Sequence, residues 1–200
     1  MFFTIAISLG LAIVMFIVLP TTLVYYAGSG IQDNFIRNIV EGIVRLGIFV
    51  GYVYAVSRMK DIQRVFMYHG AEHKVINAYE AGEELTVEEV QKFSTLHPRC
   101  GTSFLLIVIL IKVVIFSGVT ASGLFGQVFF RVLLLPVVAG VAYELLKLSG
   151  KYQDKGLCRI LIAPGLWMQK LTTKEPDNGQ VEVAIKAFGA VLKEGDINAR

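Results

Sequence analysis

His69, Glu72, His73, His97 and Cys100 can bind a metal or move a proton, and they fall in two short clusters within one polar stretch of an otherwise apolar chain. That stretch holds all three histidines and one of the two cysteines. In His69-Gly70-Ala71-Glu72-His73 the imidazoles stand four positions apart, so on a helix they lie one turn apart on the same face and can reach one ion. Glu72 suits a ligand, a partner that orients a histidine, or the base that takes a proton from metal-bound water; the spacing does not choose among these. His97-Pro98-Arg99-Cys100 adds an imidazole and a thiolate, with a proline that stiffens the turn between them. The pool His69, His73, His97 and Cys100 is one tetrahedral set for a borderline-soft ion such as zinc. All four together would make a closed, structural site, whereas three would leave a position open for water or substrate. Arg99 and Lys74, close to these ligands, suit an anionic group of a substrate, and Glu80 and Glu144 are expected to stand behind the ligands.

The elements that must position these residues belong to a membrane protein. Hydrophobic residues make up 54% of the 200 and charged ones 18%, and the mean hydropathy is positive, a balance outside the soluble globular class. A net charge of +3 with no basic stripe interleaved with aromatics argues against a nucleic-acid partner. The expected fold is all-α and polytopic, with about four transmembrane helices near residues 2–26, 35–56, 103–119 and 128–148. A cytoplasmic helical hairpin over 62–100 carries the metal-binding residues, and an interfacial segment and amphipathic helix occupy 157–194.

Several local signals set these boundaries. The first run, Phe2 to Leu19, has no basic segment before it and is too long for an ordinary signal peptide, so it is read as a retained helix, with Tyr25 and Tyr26 at the interface and a turn at Gly28-Ser29-Gly30. The second carries Arg37, Glu41 and Arg45 at steps of four, an expected charge ladder facing the bundle interior or a wet cavity. Gly82 is expected to end the helix of the first cluster, and Thr86-Val87-Glu88-Glu89 to start a second one that stops before Pro98. Lys112 interrupts the third span, Pro136 is expected to kink the fourth, and Leu157 to Leu171, broken by Pro164 and Gly165, is read as interfacial with Trp167 as anchor. Asp177 with Gln180 should cap a final helix whose apolar stripe, Val181, Ala184, Ile185, Phe188, Val191 and Leu192, must cover a surface, the metal hairpin first and the membrane second. Lysine and arginine concentrate in the polar stretch and the C-terminal region, while the loops near 28–34 and 117–127 carry none, so the hairpin and both termini are expected in the cytoplasm. There Cys100 and Cys158 stay free thiols or serve as ligands.

The order H-x-x-E-H is also that of the inverted zinc-peptidase motif, without a matching downstream glutamate. A broader likeness covers nearly the whole chain. Tyr68-His69-Gly70-Ala71-Glu72-His73-Lys74, His97-Pro98-Arg99-Cys100-Gly101-Thr102-Ser103-Phe104, and Ala163-Pro164-Gly165-Leu166-Trp167 leading to Leu171-Thr172-Thr173-Lys174-Glu175-Pro176 resemble the YqhQ-like family of bacterial membrane proteins. The resemblance implies a predicted metal-dependent membrane enzyme of unknown function, with the metal on His69, His73, His97 and Cys100. Members of that family carry a glycine-rich region with a GVMMRG-like stretch before the first span, so by this resemblance the sequence is expected to be either a shortened member or a trimmed piece of a longer one.

Three functions are compatible with these residues. The first is a zinc-dependent hydrolase at the cytoplasmic face of the bacterial inner membrane, with Glu72 as base and a lipid-linked or membrane-embedded substrate. The second is a non-enzymatic scaffold or assembly factor with a structural zinc, and the third a transporter or channel component lined by Arg45, Lys112 and Glu144. The partners expected are the lipid bilayer and either further copies of the chain or another membrane protein.

Overall fold

Proline at position 20 shapes the first helix. Its ring excludes the carbonyl of the residue four positions earlier and supplies no N–H, so the helix must widen just before it. In the computed structural model, which describes residues 2–27, 30–31, 33–117, 133–151 and 156–198, the opening run is α1 (Phe2–Ile13), a π turn (Val14–Val18) and α2 (Leu19–Ala27). The remaining elements are α3 (Asn34–Ser57), α4 (Lys60–Glu80), α5 (Val87–Val90), α6 (Gly101–Ser117), α7 (Leu135–Lys151), α8 (Gly156–Thr172) and α9 (Asn178–Asn198). All regular structure among the described residues is helical, as the apolar periodicity predicts. Among the described residues two helices, Phe2–Ala27 and Phe35–Ser57, are long and apolar enough to cross a membrane, and Gly101–Phe116 is apolar but shorter. Gly28 and Ser29 of the expected turn, and the expected loop and fourth-span start between 118 and 132, lie outside the described residues.

The chain divides into two compact units, Met1–Tyr52 with Phe104–Lys151, and Val53–Ser103 with Tyr152–Arg200. In the first, Asp33 caps α3 by accepting from the backbone N–H groups of Phe35 and Ile36 at 2.7 and 3.3 Å. Gly42 lets α3 approach α6 closely, because a Cβ there would lie 2.3 Å from a methyl of Val113, and Asn38 Nδ2 donates to the Phe116 carbonyl near the end of α6 at 3.3 Å. The charge ladder forms in part. Arg45 pairs with Glu41 at 2.5 Å and Thr21 Oγ1 donates to the same carboxylate at 3.0 Å, but Arg37 lies over the Tyr25 ring, 5.6 Å from its centroid, instead of joining them. Pro136 falls in the first turn of α7, where a missing N–H costs nothing.

The second unit carries the polar stretch. Gly82 adopts φ +78° and closes α4: its N–H bonds the Tyr79 carbonyl at 3.0 Å and the Glu83 N–H bonds that of Ala78 at 3.1 Å. Thr86 caps α5 through its hydroxyl, 3.3 Å from the Glu89 N–H. That helix stops at Val90, well short of Pro98, and side chains of α4 meet the carbonyls of the segment that follows. Lys74 Nζ donates to Gln91 at 2.9 Å, and Asn77 Nδ2 to Ser94 and Leu96 at 2.8 and 3.0 Å. Asp177 and Gln180 form the full reciprocal cap of α9, each side chain accepting the other's backbone N–H at 2.8 and 3.0 Å.

The stripe of α9 covers the hairpin that carries His69 and His73. Val181 and Ala184 join Ala71, Val75 and Ala78 of α4 and Val90 of α5 in one buried cluster, with Ile185 and Phe188 packed against it. Each fully buried valine contributes roughly 1.5–3 kcal/mol by leaving water, so this interface is the main glue of the hairpin. Val191, from the same stripe, stays exposed. The α8 helix continues through Pro164, and Gly165 brings it against Ser103, to which a Cβ would stand 2.7 Å away. Trp167 on α8 is 76% exposed, and the side chain of Cys158 lies outside the described residues.

Candidate metal centre

Helix α4 presents His69 and His73 on one face with ring centroids 4.4 Å apart. Between them Gly70 has no side chain, and a Cβ there would meet the Lys174 carbonyl at 2.1 Å. The segment after α8 therefore runs directly along α4, pinned where the Lys174 N–H meets the Phe66 carbonyl at 3.0 Å. This close approach delivers the Thr172 carbonyl to His69 Nδ1 at 2.7 Å, and the turn after α5 delivers the Thr95 carbonyl to His73 Nδ1 at 2.6 Å. A carbonyl only accepts, so in both rings Nδ1 carries a proton and Nε2 is the nitrogen left to meet Cys100 or a cation. Metal-ligating histidines are held in this way.

Cys100 stands directly before α6, 4% exposed, with Sγ 3.4 Å from His69 Nε2. Ligand atoms of His69, His73 and Cys100 all lie within 4.8 Å of one another. Burial alone would raise the Cys100 thiol, but hydrogen bonds from His69, His73 and Thr102 outweigh it and hold it at about 5. The Thr102 hydroxyl lies 3.1 Å from Sγ and its backbone N–H 3.4 Å. The hydrogen bond to Cys100 in turn raises His69 against the opposing effect of its burial, with smaller help from the Thr172 carbonyl and the Glu72 charge. The sulfur is thus anionic at neutral pH and set beside two imidazoles, a donor set suited to a borderline-soft divalent cation.

His97 stays outside this group. It is buried, its ring centroid 5.9 Å from that of His73, yet Nδ1 accepts the Arg99 N–H at 3.3 Å and Nε2 lies 3.4 Å from Glu80. Burial lowers its pKa, only partly countered by Glu80, so it is a neutral ring whose two nitrogens are already engaged. Glu80 also pairs with Arg99. Lys74 is buried and pairs with Glu175 at 3.0 Å. Glu72 is exposed and is not part of the three-residue group; Glu144 is exposed on α7, in the other compact unit.

Three residues at the site have no counterpart in the sequence reading: Gln169, Thr102 as a donor to sulfur, and Thr172 as the partner of His69. Gln169 is fully buried. Its Oε1 accepts the His97 N–H, and its Nε2 donates to the His97 carbonyl and to Ser103 Oγ, at 2.8, 2.8 and 2.7 Å. The only trace of it in the sequence is a lone amide on a largely apolar helix, one turn after Gly165.

The family model described as "Protein of unknown function (DUF1385)" matches residues 1–194. The chain is 47% identical over 154 residues to "Uncharacterized protein YqhQ" of Bacillus subtilis (strain 168), an alignment that covers 77% of this chain and 48% of the relative. The chain therefore spans about half the length of that curated relative. No solved structure matches it.

Proposed function

The chain belongs to the DUF1385 family, whose function is unknown, and from its own residues we propose that it is a zinc-dependent hydrolase working at the cytoplasmic face of a bacterial membrane. The observation that carries this reading is the donor set: two histidines with Nδ1 fixed on the Thr172 and Thr95 carbonyls, and a preformed thiolate, within 4.8 Å of one another. Zinc on three protein donors keeps a fourth position open and, when bound, supplies Lewis acidity toward water or a carbonyl or phosphoryl oxygen. His97, engaged with Glu80 and Arg99, does not compete for that position, which favours the open site over the closed, structural one.

Glu72 is the base in this scheme. It is exposed on α4 between the two histidines, and its charge favours the protonated form of His69, so it sits where a proton leaving the site can be taken up. Arg99, half exposed on the Glu80 carboxylate, can exchange that partner for an anionic substrate group. The substrate is amphiphilic in this reading, lipid-linked or membrane-embedded, because Cys100 directly precedes the apolar helix Gly101–Phe116. The exposed Arg58, Lys60 and Arg64 follow the apolar helix Phe35–Ser57, which under the positive-inside bias sets this face in the cytoplasm of a multi-pass protein.

Elemental analysis of the purified chain tests the metal. One equivalent of zinc is expected in the wild type and in Glu72→Gln, with loss in His73→Ala and in Cys100→Ala. Zinc retained at full occupancy in both of the latter sinks the assignment.

A further inference from the structure

The amide of Gln169 does more than fill a buried position. Its bonds go to both main-chain groups of His97 and to the Ser103 hydroxyl. These residues stand three positions before and three positions after Cys100 in the sequence, so one planar group holds both ends of the turn that carries the thiolate. We propose that Gln169 is a positioning residue for Cys100, fixing where Sγ stands relative to His69 and His73; the proposal rests on the metal reading above.

Within the turn itself the Arg99 N–H reaches His97 Nδ1 at 3.3 Å, and the Thr102 hydroxyl and N–H reach Sγ at 3.1 and 3.4 Å; these bonds are local and none of them reaches α8. Gly165, one turn before Gln169, brings α8 against Ser103, and at that separation the amide reaches both strands of the turn at 2.7–2.8 Å. A ligand is held in productive geometry by such neighbours, and their loss typically weakens metal binding about 10- to 100-fold. Gln91 gives the contrast. Its Nε2 also joins distant segments, donating to the Pro176 carbonyl and to Asn178 Oδ1 at 3.1 Å each, but it touches neither side of the thiolate turn.

Co(II) titration of the full chain in detergent micelles separates a positioning role from a merely structural one, because the thiolate-to-cobalt charge-transfer band reports the sulfur and the d–d bands report tetrahedral geometry. Gln169→Glu keeps the size of the side chain and replaces the donor facing the His97 carbonyl and Ser103 with an acceptor. It is expected to keep its helical circular dichroism, to bind Co(II) about 10- to 100-fold more weakly and to shift or weaken the charge-transfer band. Gln91→Leu is expected to lower thermal stability and leave the wild-type spectrum unchanged. A Gln169→Glu spectrum and affinity equal to wild type overturn the proposal, and so does an equal spectral change in Gln91→Leu. If Gln169→Glu loses its helical signal, Ser103→Ala decides: a displaced charge-transfer band supports the proposal and an unchanged one overturns it. A wild-type chain that takes up no Co(II) overturns the metal reading itself, and the role of Gln169 with it.

Discussion

Arg45 Nε donates to the Phe16 carbonyl at 2.9 Å, and Phe16 is the residue four positions before Pro20, the one whose carbonyl a proline ring excludes from the helix. The π turn Val14–Val18 is the widening that the ring forces, with the Leu19 N–H reaching back to Val14, and the guanidinium satisfies the carbonyl set free. The same guanidinium holds Glu41, so one cation serves an apolar helix and a part-buried carboxylate.

Arg45→Leu should therefore destabilise the chain by about 3–5 kcal/mol, since it strands Glu41 as well as the Phe16 carbonyl. In a Pro20→Ala background the carbonyl returns to the helix, and the same substitution should cost measurably less. A double-mutant cycle of unfolding midpoints in detergent checks this, and additive costs would contradict it.

Gly70→Ala should destabilise by roughly 1–3 kcal/mol and lower zinc occupancy, because the new methyl displaces the Lys174 carbonyl and with it the Thr172 carbonyl that orients His69. Gly51→Ala, with nothing within 4 Å of its Cβ, should be neutral or slightly stabilising. Thermal unfolding followed by circular dichroism distinguishes the two.

Alkylation by iodoacetamide in a Cys158→Ser background should report the lowered thiol of Cys100. With the thiol held at about 5, the thiolate fraction is already near its maximum above pH 6, so the rate should be flat from pH 6.5 to 8 and fall as pH drops through about 5. His69→Ala removes the strongest of the lowering hydrogen bonds, so the thiol should rise and the rate at pH 7 should fall. Zinc should protect wild-type Cys100 from the reagent. A wild-type rate that climbs tenfold per pH unit up to pH 8 would exclude the preformed thiolate.

His97→Asn separates the three-donor site from the four-donor one. Because its ring nitrogens serve Arg99 and Glu80, the variant should keep its zinc and lose about 1–2 kcal/mol of stability. Loss of zinc in His97→Asn, to the extent seen in His73→Ala, would restore it to the ligand set.

What the sequence could decide for this protein was what a helix decides locally. The four-residue step puts His69 and His73 on one face wherever the helix packs, Gly82 and Thr86 stop and start helices through bonds to their near neighbours, and the Val181-to-Phe188 stripe repeats with the turn. Tertiary structure decided which carbonyl each polar side chain meets. The partner of His73 is 22 residues away, that of Gln169 is 72 and that of His69 is 103, and no periodicity reports such distances. For the same reason the sequence does not report that Asn77 and Lys74 meet the carbonyls of Gln91, Ser94 and Leu96, in a segment it would have carried as helix toward Pro98. His97 looks like a fourth ligand by type and spacing, but the fold brings Glu80 and the Arg99 N–H against its nitrogens and leaves it outside the group of His69, His73 and Cys100.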